Sequence, residues 1–151
     1  GDNIGPAGIG PNRPQNICER KQNRDDSDRS LFLRRLLAVR KENQRLQVRD
    51  NVRSGNGRLE NRHIVEPDAM FGSATLFSEF FFDPGDSIGS HPHDNDAEVY
   101  YMLEGELVLI EDGVETVLKE GDASYAHSGV SHAIENRSDK PAKMLAVILK
   151  V

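Results

Sequence analysis

The stretch GDSIGSHPHDNDAEVYYMLEG, residues 85–105, carries the most specific pattern in this chain of 151 residues. His91 and His93 are separated by one residue, and Glu98 follows after the short segment DNDA. Side chains alternate between the two faces of a β-strand, so His91 and His93 point to the same side. Neutral imidazole is a common ligand for Zn, Cu, Fe and Ni, and Glu98 adds a carboxylate if the chain turns back. The alternative is a polar loop that happens to contain histidine.

Short β-strands separated by turn residues surround this stretch. Strands are predicted over ATLFSEFFF (74–82), EVYYML (98–103), SHAIEN (131–136) and AKMLAVILKV (142–151). The segment GELVLIEDGVETVLKEGD (105–122) predicts a hairpin, because Asp112-Gly113 is a type I′ turn signal between two apolar runs. No helical period intervenes, so the pattern predicts an all-β sandwich or barrel.

The first third of the chain has a different composition. Gly, Pro, Asn and charged residues dominate residues 1–28, which predicts a flexible arm. A helix is predicted over residues 31–47, capped by Ser27, Asp28 or Ser30. Its apolar stripe consists of Phe32, Leu36, Val39, Asn43 and Leu46. We therefore expect a flexible or helical extension over residues 1–46 and a β-domain over residues 47–151.

Charge and cysteine content narrow the class of protein. Residues 1–62 contain 14 Lys and Arg against 8 Asp and Glu, whereas residues 63–151 contain 5 against 17. An acidic body repels nucleic acid and anionic membranes, and the longest apolar run, residues 31–39, is too short to span a bilayer. We expect neither a nucleic-acid partner nor a membrane partner.

Cys18 is the only cysteine, which excludes an intramolecular disulfide and fits a reducing compartment. We expect a cytoplasmic protein in which Cys18 is a free thiol.

A second histidine block, HSGVSH, occupies residues 127–132. Four of the five histidines fall in the two blocks, and both blocks lie in or beside predicted strands. A metal site is therefore a better interpretation than a polar loop.

The residues around both blocks resemble the two cupin motifs. GDSIGSHPHDNDAEVYYMLEG has the spacing of the first motif: Gly, five residues, His-x-His, four residues, Glu, six residues, Gly. GDASYAHSGVSHAIEN (121–136) is similar to the second motif. The lead-in VRDNVRSGNGRLENRHIV (48–65) looks like the start of many small single-domain bacterial cupins. The resemblance covers about residues 47–151 and implies a double-stranded β-helix, or jelly-roll, cupin barrel.

The resemblance implies a metal site with four ligands, His91, His93, Glu98 and His132. Three imidazoles and one carboxylate suit one divalent transition metal per chain, whether Mn, Fe, Ni, Co, Cu or Zn. His127 stands where the family usually has proline, and it is either a turn residue or an ionisable group near the mouth of the barrel. His63 lies outside both motifs and is expected to be a surface or core residue.

The sequence also predicts which way four further side chains point. Tyr100 and Met102 lie two and four residues after Glu98 on one predicted strand, so both are expected to share its face and point into the barrel interior. Asp94 and Asp96 are expected to be loop residues that face water.

Four ligands leave one or two open positions on an octahedral ion, as a catalytic metal requires. We expect a metal-dependent enzyme acting on a small carboxylate or polar metabolite, by decarboxylation or dioxygenation; sugar isomerisation is another activity of the family. Glu98, Glu79 and His127 are candidate acids or bases, and no catalytic residue is assigned. The alternative is a non-catalytic small-molecule binding or sensor module. Small cupins of this kind are often dimers, so a homodimer is expected.

Overall fold

Ten β-strands make up most of the part of the chain that the computed structural model describes, residues 38–151. The strands are β1 (Arg45–Asp50), β2 (Arg58–His63), β3 (Ala74–Phe82), β4 (Ser87–Pro92), β5 (Asp96–Glu104), β6 (Glu106–Glu111), β7 (Val114–Lys119), β8 (Ala123–Ala126), β9 (Ser131–Glu135) and β10 (Ala142–Lys150). Single 3₁₀ turns lie at Lys41–Asn43, Val52–Ser54 and Pro67–Met70. None of the helical segments in this part of the chain is long and apolar enough to cross a membrane.

The strands form two antiparallel sheets that share one core. One sheet has the order β1-β2-β3-β10-β5-β8, and the other has the order β4-β9-β6-β7. A single apolar cluster contains Phe80, Met102 and Met144 from the first sheet and Leu107 and Ile134 from the second. The inward faces of both sheets therefore bury the same core, which confirms the predicted jelly-roll.

Local sequence signals locate several strands correctly. The predicted strand over residues 74–82 coincides with β3. The predicted hairpin is β6-β7, and Asp112 and Gly113 have φ values of 49° and 79°. Positive φ at both central residues is what a type I′ turn requires, and glycine adopts it without strain.

A β-bulge in β4 turns the first histidine block inward. Ile88 pairs with Ile134, but the register shifts after Ile88, and the next pair along the strands is His91 with His132. Ile88 and His91 are both buried although they are three residues apart, which strict alternation along a strand would not allow. The extra residue therefore brings the two histidine blocks side by side.

The interior changes from apolar to polar along the barrel. Across β5, β10 and β3, one row of paired residues consists of Met102, Met144 and Phe80. The next row consists of Tyr100, Ala146 and Ser78, and the row after that begins with Glu98. Polar groups therefore gather inside one end of the barrel, beside the bulge of β4.

The predicted helix over residues 31–47 is wrong in its described part. Residues 38–47 contain the 3₁₀ turn Lys41–Asn43 and the start of β1, with Leu46 51% exposed. Antiparallel pairing of β1 with β2 along all six residues overrides the helical spacing of apolar residues. The remainder of that helix, the predicted arm and Cys18 lie outside the described residues.

Candidate metal centre

Four polar side chains from three strands and one loop meet inside the polar end of the barrel. His91 comes from β4, His93 follows that strand directly, Glu98 comes from β5, and His132 comes from β9. All four side chains are buried, and one potential ligand atom from each lies within 4.8 Å of all the others. The structure thus brings together the four residues that the sequence predicts as ligands, and their role as ligands stays a prediction.

The donor atoms of this group are close to one another. His93 Nε2 lies 3.0 Å from His132 Nε2, and each of these nitrogens lies 3.1 Å from Glu98 Oε2. His91 Nε2 lies 3.6 Å from the same carboxylate oxygen. Donors about 2.1 Å from one ion and at right angles to each other are about 3.0 Å apart, so the spacing suits a shared ion.

Neighbouring acceptors determine which nitrogen of two imidazoles carries hydrogen. His91 Nδ1–H donates to the carbonyl oxygen of Gly89 at 3.0 Å, and His93 Nδ1–H donates to Asp96 Oδ1 at 2.8 Å. In the neutral imidazoles Nε2 is then an unprotonated acceptor, and it faces other acceptors. Lone pairs this close repel each other unless a proton or a cation lies between them. The donor set and its hydrogen bonds therefore fit a divalent metal ion.

The electrostatics of the group also favour a positive charge at its centre. Burial is the largest influence on Glu98 and raises its pKa, but contacts with His132, His91 and Tyr100 outweigh burial and lower the pKa to about 2. Burial likewise disfavours the charged form of His91, yet contacts with Glu98 and the Gly89 carbonyl raise its pKa. Glu98 is therefore a carboxylate, and it favours cations beside it.

Tyr100 forms one wall of the group. Its ring is fully buried and stacks on the His132 ring, with 5.0 Å between the ring centroids and 5° between the planes. Burial and then the charge of Glu98 raise the pKa of Tyr100 well above its usual value, so its hydroxyl stays protonated. The Tyr100 hydroxyl lies 3.4 Å from His132 Nε2 and can donate a hydrogen bond to it, and Tyr100 faces the barrel interior as predicted.

The other candidate residues lie elsewhere. His127 is exposed, and its Nδ1–H donates to the carbonyl oxygen of Ser128 at 2.9 Å. Glu79 does not face inward, because it has the opposite parity to the buried Ser78 and pairs with Arg62 at 3.4 Å. His63 is buried and contacts Ser78 Oγ through Nδ1 at 3.1 Å, so it is a core residue.

Asp96 is the residue that the sequence interpretation placed wrongly. It was expected to face water, but it begins β5 and accepts the hydrogen bond of His93. The short loop between β4 and β5 allows this contact because Asn95 adopts a left-handed conformation with φ of 58°. The available signal is an acidic residue three positions after the candidate ligand His93, across a short loop.

Comparisons with known proteins agree with this geometry. The family model described as cupin domain matches residues 78–148. The oxalate-binding protein of Thermotoga maritima is 39% identical over 99 residues, which cover 66% of this chain and 82% of that relative. The chain belongs to the cupin family. This cupin also matches a solved structure described as a predicted oxalate decarboxylase from T. maritima, with a TM-score of 0.73 and 36% identity.

That match covers 76% of this cupin and 100% of the T. maritima chain. An RmlC-like cupin from Shewanella frigidimarina has a TM-score of 0.58 at 19% identity and covers 76% of this chain and 91% of its own. The second likeness supports the fold alone. As in other cupins, the buried group of three histidines and one glutamate could hold a metal ion.

Proposed function

We propose that this cupin binds one divalent transition metal through His91, His93, His132 and Glu98, and that it acts on a small carboxylate at that site. One observation carries the proposal. Two Nε2 atoms and one carboxylate oxygen lie 3.0–3.1 Å apart in a buried pocket, with the Nδ1 hydrogens of His91 and His93 engaged elsewhere. The name of the Thermotoga maritima oxalate-binding protein supports a carboxylate as the ligand.

A bound divalent ion would supply Lewis acidity toward a carboxylate or carbonyl oxygen, and redox chemistry if it is iron, manganese or copper. The chain's own residues prepare the surroundings. Asp96 and the Gly89 carbonyl hold two imidazoles in one tautomer, and the Tyr100 hydroxyl can donate to His132 Nε2. Burial of all four donors keeps bulk water away from them. We propose decarboxylation or dioxygenation as the reactions to test.

A binding or sensor module is the second candidate, and one observation favours it. Within residues 38–151, each predicted acid or base either belongs to the donor group or points away from it. Glu98 belongs to the group, Glu79 pairs with Arg62 on the outer face, and His127 is exposed. A protein without a free acid or base binds a carboxylate more readily than it turns it over.

Metal analysis of protein purified without added metal tests the first part of the proposal. We expect about one transition metal ion per chain, and we expect His132→Ala to abolish most of the binding in isothermal titration. His127→Ala is the matched control, because it removes an exposed imidazole from the same histidine block, residues 127–132. Equal loss of metal from both variants would contradict the assigned ligands.

Incubation of the metal-loaded protein with oxalate and related small carboxylates separates the two functions. An enzyme consumes the carboxylate and releases carbon dioxide or consumes oxygen. A binding module gives a saturating heat of binding without turnover.

A further inference from the structure

The outer face of the six-stranded sheet is apolar over four of its strands. Side chains alternate along a strand, so the neighbours of core residues point away from the core. In β3, β10, β5 and β8, the outward-pointing apolar side chains include those of Phe77, Phe81, Leu145, Val147, Val99, Tyr101, Leu103 and Tyr125. An antiparallel sheet with its outer face in water normally carries polar side chains there. A second apolar face therefore indicates an interaction surface.

The strand register joins most of these side chains into one patch. One row of cross-strand pairs consists of Phe77, Val147, Val99 and Tyr125. In the adjacent row, Leu145 pairs with Tyr101. Side chains paired across strands lie about 5 Å apart, so these six residues, the outer patch, are contiguous. Tyr101 is 43% exposed and Tyr125 is 56% exposed, so the outer patch is open to solvent in a single chain.

Phe81 lies on the same face beside the outer patch, but the chain covers it with its own cations. The Cζ atom of Arg62 lies 5.1 Å from the centre of the Phe81 ring, and Lys143 Nζ lies 5.7 Å from it. Arg62 in turn pairs with Glu79 at 3.4 Å, and Lys143 pairs with Glu104 at 3.3 Å. These two ion pairs form a polar border without net charge along one side of the outer patch.

The charge of this face determines which partner fits it. Residues 63–151 contain 17 Asp and Glu against 5 Lys and Arg, so most of the surface repels anionic partners, including a second copy of the chain. At the outer patch the charges of the border compensate each other, so a second copy meets an apolar surface without this repulsion. A two-fold axis also lets the same patch serve both subunits.

The size of the face suits a second copy as well. With strands about 4.8 Å apart and a rise of about 3.3 Å per residue, the six strands cover an area of about 700 Å². Each subunit of a standard-sized interface buries about 800 Å². The face extends to β1, where Leu46 and Val48 point to the same side and are 51% and 43% exposed. A small ligand would leave most of this area uncovered.

We propose that two copies of this chain pack through the outer faces of their six-stranded sheets, with the outer patch at the centre of the interface. Tyr101 and Tyr125 are the anchors, because large aromatic side chains contribute most to such interfaces. The proposal goes beyond the function of the metal centre and does not depend on it. The two are adjacent in structure, because β5 points Tyr101 outward and Glu98 into the barrel.

Sedimentation equilibrium of the full chain, over a wide range of protein concentrations, measures the dissociation constant of the dimer. The variants are Tyr101→Glu, Tyr101→Lys and Tyr125→Glu, each of which places a charge in the outer patch. Val117→Glu is the matched control, since Val117 is 51% exposed on β7 of the other sheet. Circular dichroism and thermal unfolding check that each variant folds.

We expect the parent to be a dimer and each patch variant to raise the dissociation constant by about tenfold or more, because a charge would be buried without a partner. Tyr101→Lys should act in the same direction as Tyr101→Glu. That result separates burial of a charge from added repulsion between two acidic bodies. Val117→Glu adds the same negative charge elsewhere and should dimerise as the parent does.

A parent that stays monomeric at the highest concentration would overturn this proposal and assign the outer patch to a different partner. Folded patch variants that dimerise as tightly as the parent would contradict it too. A dimer that only Val117→Glu weakens would place the interface on the four-stranded sheet instead. None of these results bears on the metal centre, which zinc titration tests separately.

Discussion

At the scale of single residues, the candidate site depends on groups that set the state of the histidines. The Nδ1 atoms of His91 and His93 donate to a backbone carbonyl and to a carboxylate. A carboxylate behind a ligating imidazole fixes its tautomer and orientation and raises its basicity. Asp96 therefore contributes to metal binding although it lies outside the donor group.

Replacement of Asp96 by Asn tests this role. The amide keeps the size of the side chain but removes the charge that stabilises the Nδ1–H tautomer, so we expect metal affinity to fall about 10- to 100-fold. Isothermal titration with zinc measures the effect. Asp94→Asn is the control, because Asp94 is exposed and accepts a hydrogen bond from the neighbouring Asn95 side chain, not from a histidine. An unchanged affinity in Asp96→Asn would mean that the His93 tautomer is fixed by the ion itself.

Metal affinity is expected to depend on pH through the histidines and not through Glu98. The pKa of His91 is raised above its ordinary value by Glu98 and Gly89 against the effect of burial, so the metal-free site takes up protons as the pH falls through that raised value. The bound ion must displace those protons, so affinity begins to decline above the ordinary imidazole pKa of about 6.5 and falls further as the pH drops below it. Glu98 has a pKa of about 2 and stays ionised throughout this range.

Titrations at several pH values in buffers of different ionisation enthalpy count the protons released per ion. We expect more than one below about pH 6. His127→Ala should retain the whole profile, because that imidazole is exposed and outside the group. An affinity that is flat between about pH 5 and pH 8 would exclude histidine ligands.

Much of the candidate site could be predicted from the sequence, and the limits have physical causes. His91, His93, Glu98 and His132 carry recognisable spacing, because ligands on strands must share a face. The hydrogen bond between Asp96 and His93 depends on a loop in which Asn95 is left-handed, and the sequence signals that conformation only weakly. The close backbone packing of Gly55 on Gly89 joins residues 34 positions apart, so no local pattern in the sequence signals it.

At the scale of elements, the bulge of β4 decides which side chains enter the barrel. The register shift after Ile88 puts both Ile88 and His91 in the interior. Strict alternation predicts that one of them faces outward. Alternation therefore correctly predicts that His91 and His93 point to the same side, but it does not predict that Ile88 points there too. The helix prediction is wrong over its described residues because β1 is stabilised by pairing with β2. Those partners are distant in sequence, so the local spacing of apolar residues does not reveal them.

Gly89→Ala tests the bulge. The added methyl group would overlap the Arg53 carbonyl, so the turn or the strand must move, and we expect a loss of about 1–3 kcal/mol in the free energy of unfolding. We also expect weaker zinc binding, because the Gly89 carbonyl orients His91. Urea denaturation and zinc titration are the measurements. Ser90→Ala, an exposed neighbour in the same bulge, is expected to behave as the parent in both.

At the scale of the whole molecule, we predict a homodimer. β1 is the edge strand of the six-stranded sheet, and within residues 38–151 it pairs only with β2. Leu46 and Val48 on this strand are 51% and 43% exposed. Edge strands with exposed apolar side chains are covered in many proteins by another chain.

Light scattering should therefore give twice the chain mass of 16.8 kDa. Deletion of residues 1–46, which removes the apolar stripe of the extension and Leu46 at the start of β1, should weaken the dimer and spare metal binding. A monomer at high protein concentration would contradict the prediction. The division of the chain at residues 46 and 47 and the cytoplasmic location also stay predictions.

Three of the four donors come from two different sheets, which has a mechanical consequence. His91 and His132 belong to the four-stranded sheet, and Glu98 belongs to the six-stranded sheet. An ion held by all three would join the sheets as a cross-link does, and it would stabilise the closed barrel by about 2.7 kcal/mol at a free ion concentration of about 100 Kd. Amide hydrogens of β4, β5 and β9 should then exchange with deuterium more slowly once metal is added, whereas those of β1 at the far edge should not change.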